Sequence, residues 1–415
     1  MTMNTGIDAY DFASGQMSSS GVVPREIQGM LLHGSLVRVA DSGMALGGWR
    51  SDLSSHRAMW SSSATSLSRE NLVEAIRAIE LTGRGGGHFP TAVKLQAAID
   101  SGPGGMLVVN AAEGEPASAK DSVLWQYRPH LILDGASLIA DAIGAREIII
   151  WLHQGSPATQ VSIEQAIAER MALGVDRLPV RLLLAPAGYV SGESSAVIAG
   201  VRGRPVAPIF IEDPARPWGD GAAILVHNTE TVARVGALAH TNVTGYQATS
   251  LITIARPIVS GHEYERVVVE VPDSATVADA VRYAQVSDVR AFLLGGFAGT
   301  WHGIDEAEDL VLDPHRLRSQ GLSLGAGIII ALSGSERVLE EATAIAEYLA
   351  QSSVGQCGPC VFGLPALSKS LRRGKFSQAR EWMALVEGRG GCRMPDGAVR
   401  MVRSALALDH QRTNR

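Results

Sequence analysis

The strongest constraint on the fold of this chain is the alternation of short apolar runs with segments of helical periodicity. β-Branched runs of five to seven residues predict buried strands, and the longer amphipathic segments between them predict crossover helices. The predicted strands are Met106–Asn110, Glu147–Leu152 and Val180–Leu184, and the predicted helices between them are Leu131–Ile143 and Ser162–Leu173. Strands that alternate with helices in this way form parallel sheets. The sequence therefore predicts an α/β protein.

The pattern changes in the second half of the chain. The region from residue 249 predicts a small ββαβ unit, and the region after residue 332 predicts only helices. The unit comprises strands Leu251–Ile254, Arg266–Val271 and Ala291–Leu294 with helix Ala275–Ala284, and one more strand follows at Gly325–Leu332. The predicted late helices are Glu336–Ala350, Phe362–Arg373, Phe376–Glu387 and Ala398–Leu408.

Composition excludes several classes of protein. Charged residues make up 19% and apolar residues 46% of the 415 positions, a balance that disordered and coiled-coil chains do not have. The net charge of −6 argues against nucleic-acid binding. Because no apolar run approaches the roughly 18 residues that span a bilayer and no signal peptide is visible, we expect a cytoplasmic protein without membrane spans.

A glycine-rich segment, residues 83–94, precedes a predicted helix and ends in Lys94, one of only four lysines. Consecutive glycines allow backbone N–H groups to converge on an anion, and a helix N-terminus favours negative charge. The segment matches neither the dinucleotide fingerprint nor the Walker pattern. It predicts either a phosphate cradle or a plain turn between helices.

Three further polar segments follow predicted strands or glycines. Residues 110–116 place Asn110, Glu113 and Glu115 directly after a strand, where ligands bind in open α/β sheets, although a solvated turn has the same composition. Residues 188–195 and 227–231 are compatible with a Gly/Ser turn and a helix N-cap.

Three cysteines are too few for a disulfide framework, and two of them are separated by two residues: Cys357 and Cys360, with Cys392 later in the chain. Such spacing suits an iron–sulfur cluster, a zinc ion or a redox pair, and inert thiols are the fourth alternative.

In this order, these segments resemble the FMN-bearing, NADH-oxidising subunit of respiratory complex I, its relatives in hydrogenases and formate dehydrogenases, and the C subunit of Rnf complexes. The family pattern G-R-G-G-x-G-F-P-T-G-x-K corresponds to residues 83–94, and N-A-D-E-x-E-P to residues 110–116. The patterns Y-x-x-G-E-E-T-A-L and N-N-V-E-T correspond to residues 189–197 and 227–231. The pattern S-C-G-x-C-x-P-C corresponds to residues 353–360.

The resemblance implies a Rossmann-like flavin-binding domain, a small β-grasp (SLBB-like) domain and a C-terminal four-helix iron–sulfur bundle. We expect a flexible leader at 1–30, the FMN-binding α/β domain at 31–245, the β-grasp domain with its connection at 246–325, the cluster domain at 326–408 and a tail at 409–415.

The resemblance also implies an oxidoreductase that passes electrons from NADH through FMN to an iron–sulfur cluster and a one-electron partner. The alternative is a relay subunit that receives electrons from a ferredoxin or a membrane partner, independently of NADH. The implied FMN contacts are Gly83, Arg84, Gly85, Lys94, Asn110, Glu113, Tyr189, Gly192, Glu193 and Asn228. Phe89 and Glu115 would contact NADH, and Cys357, Cys360 and Cys392 would ligate the cluster. No side chain is assigned to acid–base catalysis.

Two departures from the family concern the cluster and the nicotinamide. Val354 stands where the family has its first cluster cysteine. A [4Fe–4S] cluster would then need another ligand, such as Ser352, Ser353, water or a partner residue, and a [3Fe–4S] cluster or none are the alternatives. The family's Lys-Pro-Pro-Phe-Pro segment is not recognisable at residues 205–210. A basic group, Lys369, Arg372, Arg373 and Lys375, is either a solvated helix face or a docking site for an acidic ferredoxin.

Overall fold

A computed structural model describes residues 9–11, 16–18, 31–32, 37–39, 44–46, 50–60, 69–258, 263–334 and 337–413. The described residues form thirteen strands in three sheets. In chain order they are β1 (Ala9–Asp11), β2 (Gln16–Ser18), β3 (Val37–Val39), β4 (Ala45–Leu46), β5 (Met106–Ala111), β6 (Glu147–His153), β7 (Val180–Ala185), β8 (Ile224–Asn228), β9 (Thr249–Pro257), β10 (Tyr264–Pro272), β11 (Val289–Leu294), β12 (Thr300–Gly303) and β13 (Ile328–Ser333).

The same residues form fourteen α-helices, two short 3₁₀ turns (Gly296–Ala298 and Ile304–Glu306) and a π-helical turn (Pro359–Gly363). The helices are α1 (Leu53–Met59), α2 (Arg69–Ala78), α3 (Thr91–Asp100), α4 (Lys120–Tyr127), α5 (Pro129–Ala142), α6 (Pro157–Ala172), α7 (Ser194–Val201), α8 (Thr229–Gly245), α9 (Val277–Tyr283), α10 (Pro314–Ser319), α11 (Val338–Gln351), α12 (Leu364–Arg372), α13 (Phe376–Val386) and α14 (Met394–Thr413). None of these helices is both long and apolar enough to cross a membrane.

The first half of the chain is built around a parallel four-stranded sheet in the order β7-β6-β5-β8. Val108 of β5 pairs with Ile149 on one side and with Val226 on the other. Helices α5 and α8 pack on each other and on this sheet. They cross where a Cβ at Gly135 would lie 2.0 Å from the carbonyl oxygen of Val232, so only glycine allows the contact. The prediction of an α/β fold is confirmed.

A second sheet has seven strands in the order β12-β11-β13-β9-β10-β3-β4. Its centre is β9, which is antiparallel to β10 and parallel to β13. The predicted ββαβ unit corresponds to β9, β10, α9 and β11. Strands β3 and β4, which the sequence did not predict, extend this sheet: β3 pairs with β10, and β4 pairs with β3.

The last four helices pack on one face of the second sheet. Buried Leu349, Leu367 and Val402 of α11, α12 and α14 share a core with Leu293 and Ile330 of the sheet. Helix α14 continues to Thr413, beyond the predicted end at residue 408. The predicted start of α11, Glu336, and most of the predicted leader 1–30 lie outside the described residues, apart from the antiparallel pair β1–β2.

Candidate functional site

A cleft of about 740 Å³ lies beyond the carboxyl ends of β5 and β8. One wall is the glycine segment before α3, and the opposite wall includes Cys392, Arg393 and Arg400 at the start of α14. Turns of the second sheet around Gly295 and Gly325 complete the lining. Switch-point clefts at strand ends are the usual ligand sites of open α/β sheets.

The glycine segment forms a tight loop that ends at the N-terminus of α3. The amide of Gly83 donates to the carbonyl of Phe89 at 2.9 Å and so closes the loop. A Cβ at Gly85 would approach the Cβ of Asn228 to 3.3 Å, and Gly86 has a φ of +104°, which L-residues rarely adopt. Position 86 therefore needs glycine for its backbone angle, whereas a side chain at Gly85 would crowd Asn228.

Arg84 does not turn its charge toward the cleft. Its guanidinium donates to Ser250 Oγ at 2.7 Å and lies 3.5 Å from a carboxylate oxygen of Asp273. The charge of Arg84, one of the implied FMN contacts, is therefore compensated by Asp273 within the chain. Its backbone amide is also engaged, with Thr231 Oγ1 at 2.9 Å.

Lys94 lies in the first turn of α3 and lines the cleft. Its Nζ donates to the carbonyl oxygen of Val226 at 2.9 Å. Burial lowers the pKa of Lys94 to about 8, while the carboxylate of Glu193 favours the charged form. The geometry thus provides a partly buried cation on the cleft lining, next to the glycine loop.

Asn110 and Gly192 bring two strand ends together. Asn110 Nδ2 donates to the carbonyl of Gly192 at 2.7 Å. A Cβ at Gly192 would lie 2.8 Å from the carbonyl oxygen of Ala112, so this approach also requires glycine. Both residues line the cleft, as the sequence interpretation expected of a ligand site.

The predicted carboxylates Glu113 and Glu193 line the cleft, but both also cap helices. Glu113 accepts from the amides of Asp121 and Ser122 at 3.1 and 2.9 Å, at the start of α4. Glu193 accepts from the amide of Ser195 at 2.9 Å, at the start of α7. Carboxylates at helix N-termini satisfy unpaired amides there. Both oxygens of Glu113 and the Oε2 of Glu193 are therefore engaged within the chain.

A buried charge network that the sequence reasoning missed positions Asn228. Lys120 is 1% exposed, and its Nζ lies 2.8 Å from Asp121 Oδ1, 3.0 Å from Glu230 Oε2 and 3.2 Å from Asn228 Oδ1. Asn228 in turn caps α8 by accepting from the amide of Glu230 at 3.0 Å. The scarcity of lysine that drew attention to Lys94 applies equally to Lys120.

Glu115 reaches from the turn after β5 to the second sheet. Its Oε1 accepts from the amide of Phe297 at 2.7 Å, and the Tyr189 hydroxyl also hydrogen-bonds to it. Burial raises the pKa of Glu115 to about 8. The ring of Tyr189 stacks on that of Phe297 with 6.4 Å between centroids, and Phe89 lines the same cleft.

The three cysteines belong to the same core cluster, and Cys392 also lines the cleft. Burial and the neighbouring Cys357 and Cys392 thiols raise the pKa of Cys360 to about 12. For Cys357, burial is outweighed by the backbone amides of Gly391 and Cys360, which lower the pKa. Convergent thiols with backbone N–H donors form a typical metal-binding arrangement.

Comparison with known families identifies this site. Residues 76–237 match the Nuo51 FMN-binding domain, and residues 340–410 match the iron–sulfur binding region of NADH-ubiquinone oxidoreductase F. The chain carries the two domains that characterise NADH-quinone oxidoreductase F subunits. It is an oxidoreductase of the NADH dehydrogenase type, whose cofactors are FMN and an iron–sulfur cluster.

Among curated relatives, the NADH-quinone oxidoreductase F subunit of Aquifex aeolicus is 28% identical over 72% of this chain and 73% of its own length. The F subunit of the Escherichia coli K12 enzyme is 28% identical over 82% and 83%. Among solved structures, a chain of an NAD⁺-reducing [NiFe]-hydrogenase superposes with a TM-score of 0.73 at 22% identity, covering 86% of this chain and 64% of that chain. This last likeness shows the shared fold.

The residues present fit both cofactors of the family. The cleft is within the 300–1,000 Å³ range of cofactor sites. It joins a glycine loop, a helix N-terminus and a partly buried lysine, which together suit a phosphate. His227 Nε2, buried on the lining, has no partner among the described residues and could bond a ligand. The three thiols supply the donor type that iron prefers.

Proposed function

We propose that the cleft binds FMN and the nicotinamide of NADH together, and that electrons leave through a cluster on Cys357, Cys360 and Cys392. One observation carries this proposal: Cys392 lines the same cleft as the glycine loop around Gly83. A flavin in that cleft would lie next to the cluster ligands. Bound FMN accepts two electrons with a hydride and gives them up one at a time.

The chain's own residues would bind and orient these groups. The amide of Gly85 and the Nζ of Lys94 would hold the phosphate, whose charge the N-terminus of α3 also favours. Gly83, whose own amide closes the loop, would contact the flavin through its backbone surface. The polar rim of the cleft would orient the ring system, and its members are Asn110, Glu113, Tyr189, Gly192, Glu193 and Asn228. Phe89 and Glu115 would contact the nicotinamide end.

The finer description of the architecture is part of the proposal. The parallel sheet with its helices would be a Rossmann-like flavin-binding domain, the β9–β12 region a β-grasp unit, and α11 to α14 a four-helix cluster domain. The one-electron partner would be another electron-transfer subunit or a ferredoxin, in the cytoplasm, where thiols stay reduced. The exposed basic residues around Lys369 support an acidic partner.

A second candidate is an electron relay that does not use NADH. Phe210, in the segment that corresponds to the family's nicotinamide loop, is 86% exposed. This exposure favours a nicotinamide subsite that is less complete than in the family.

Anaerobic titration separates these functions. The purified protein is loaded with FMN, iron and sulfide, and NADH is added while flavin absorbance near ~450 nm is recorded. Bleaching by NADH supports the first function. Bleaching by a reduced ferredoxin but not by NADH supports the relay. Protein that retains no FMN would overturn both functions. The variant Phe89→Ala should need a higher NADH concentration than the wild type for the same flavin bleaching.

A further inference from the structure

A second group of ligating side chains lies outside the cleft, where α1 packs on α5. Nε2 of His56 lies 2.8 Å and Nε2 of His240 lies 3.0 Å from the same carboxylate oxygen, Oδ2 of Asp134. All three atoms lie within 4.8 Å of one another. Because the residues belong to α1, α5 and α8, the tertiary fold brings them together and no local motif reveals them.

Asp134 is held in place by its other oxygen. Oδ1 accepts from Nη1 of Arg170 at 2.7 Å, and Arg170 is itself paired with Asp176 at 2.7 Å. Against burial, the hydrogen bonds from His240 and His56 and the charge of Arg170 hold the pKa of Asp134 well below its ordinary value. Oδ2 therefore carries negative charge and faces two imidazoles in a fixed orientation. Outer contacts of this kind orient the ligands of metal ions.

A third histidine, His130, lies beside this group but is engaged elsewhere. Its ring centroid is 5.7 Å from that of His56, and its Nε2 bonds to Oε2 of Glu169 at 2.8 Å. The same carboxylate oxygen accepts from the amide of Leu53 at 2.9 Å, at the start of α1. Glu169 thus fixes the position of α1, and with it that of His56, while His130 is left out of the ligand set.

The ligand atoms are shielded on the side of the two rings. The side chains of His56 and His240 are 4% and 6% exposed, whereas that of Asp134 is 17% exposed. The ring of Trp60 covers His240, with 5.1 Å between centroids. The site is therefore nearly dry around the imidazoles and open at the carboxylate, where an ion can enter and keep one water.

We propose that His56, Asp134 and His240 bind a zinc ion through Nε2, Oδ2 and Nε2, with water as the fourth ligand. Histidine nitrogen and carboxylate oxygen are zinc ligands, and three protein ligands with one water form a common zinc site. Imidazole disfavours calcium and magnesium, which prefer oxygen, and the limited exposure favours four-coordinate zinc over iron with several open positions. The ion would replace the Nε2 protons that now bond to Oδ2, and these protons would move to Nδ1 or to solvent.

The test separates metal ligation from hydrogen bonding at one position. His56→Gln keeps an N–H donor for Asp134 but has no good zinc ligand, whereas His56→Glu keeps a ligand of similar reach and loses the donor. The full chain is equilibrated with zinc at pH 7, desalted, and assayed for zinc. We expect ~1 more zinc per chain in the wild type and in His56→Glu than in His56→Gln. Competition with a chelator should show an affinity at least ~100-fold lower in His56→Gln than in the wild type.

The melting temperature gives a second readout. Zinc should raise it in the wild type and in His56→Glu but not in His56→Gln, because the site exists only when three helices are folded together. His315→Gln, at an exposed position of α10, is the control and should behave like the wild type. The pair His240→Gln and His240→Glu repeats the comparison on α8 if a variant at His56 does not fold.

The cysteine thiols can also bind zinc, so Cys357→Ser is assayed alongside. If the wild type and His56→Gln bind equal amounts of zinc, the inference is wrong. Zinc that is lost in Cys357→Ser but kept in His56→Gln belongs to the thiols and contradicts it equally. If the Glu variants lose zinc and stability as the Gln variants do, the two histidines serve only to hydrogen-bond Asp134.

Discussion

At the scale of single residues, Lys94 supplies a partly buried positive charge of the cleft. A hydrogen bond from a charged donor contributes ~1.5–3 kcal/mol, so Lys94→Met should weaken FMN binding by about 10- to 100-fold. FMN affinity is measured at pH 7 by adding FMN to the flavin-free protein and recording the quenching of flavin fluorescence. Lys369→Met, which removes an exposed lysine of α12, is the matched control.

The pH dependence of FMN binding should report the same lysine. Because the pKa of Lys94 in the folded protein is about 8, its proton is lost as the pH rises past that value. Affinity should therefore fall as the pH rises from 7 through 8 to 9 in the wild type, but not in Lys94→Met. Equal affinities of the two proteins across this range would show that Lys94 does not contact the phosphate.

His227 on β8 should make the folded protein sensitive to acid. Burial, together with the charge of Lys94, lowers its pKa from 6.5 to about 3. The unfolded chain thus binds more protons between these values, and stability should fall by ~2 kcal/mol as the pH decreases from 7 to 5.

The variant His227→Leu tests whether His227 causes the acid sensitivity. The substitution breaks no hydrogen bond of Nε2, because that atom has no partner in the part of the chain that the structure describes. The variant's melting temperature should change less between pH 7 and 5 than that of the wild type. His315→Leu, at an exposed position of α10, should melt like the wild type at each pH. A pH dependence that persists in His227→Leu would assign the acid sensitivity to other groups.

At the scale of secondary-structure elements, α4 depends on a carboxylate from the turn after β5. Glu113 accepts from two amides and two hydroxyls at the start of α4, so Glu113→Ala should lower the free energy of unfolding by ~1–2 kcal/mol. Chemical denaturation of the flavin-free protein measures this. Glu147→Ala, which removes an ion pair with the exposed Arg181, should cost less than half as much.

The elements that the sequence predicted well are those whose burial is visible locally. Strands β5 and β6 lie within one residue of their predictions because a strand covered on both faces is a continuous apolar run. The edge strand β7, which is partly exposed, was predicted equally well from its apolar composition. Strand β3 has three residues, and its pairing with β10 depends on a partner more than 200 positions away, which no local pattern shows. Strand β8 ends in the polar residues His227 and Asn228, so its apolar run is too short to be recognised as a strand in the sequence.

The same distinction applies to the candidate site. The glycine loop and the cysteine pair are local patterns, but the cleft is shared by the loop and the later Cys392, which packs in one core with the pair. The orientation of Arg84 depends on Ser250 and Asp273. Ser250 lies on β9 and Asp273 directly follows β10, so both are distant from Arg84 in the sequence. Glu113 was interpreted from its position after a strand, but its partners at the start of α4 became visible only once that helix had formed.

At the scale of the whole molecule, one cleft joins three regions through a few polar contacts. Glu115 connects the parallel sheet to Phe297 of the second sheet, and the Tyr348 hydroxyl of α11 donates to the carbonyl of Gly114 at 3.0 Å. Gln356, beside the cluster thiols, bonds to Pro208. The position of the glycine loop relative to the cysteine thiols therefore depends on these contacts between the two sheets and the late helices. Neither the glycine motif nor the cysteine motif determines it alone.

The contact between Glu115 and Phe297 should make the stability of the folded protein depend on pH. The Glu115 pKa of about 8 in the folded protein exceeds the ordinary value of 4.5, so the folded state holds the proton more tightly across this interval. Stability from this source is complete below pH 4.5 and is lost as the pH rises through 8. Glu115→Gln resembles the protonated form, so its melting temperature should fall less than that of the wild type between pH 6 and 9. Identical pH profiles would contradict the raised pKa.

The shared cleft can be tested without any turnover. Because Cys392 lines the same cleft as the glycine loop, FMN bound there should hinder access to its thiol in the metal-free protein. We expect saturating FMN to slow alkylation of Cys392 by N-ethylmaleimide at least several-fold, as measured by mass spectrometry of the peptides. The Lys94→Met variant at the same FMN concentration should be protected less. If FMN binds but Cys392 is alkylated at an unchanged rate, the flavin lies elsewhere, and the short electron path between the two halves of the molecule does not exist.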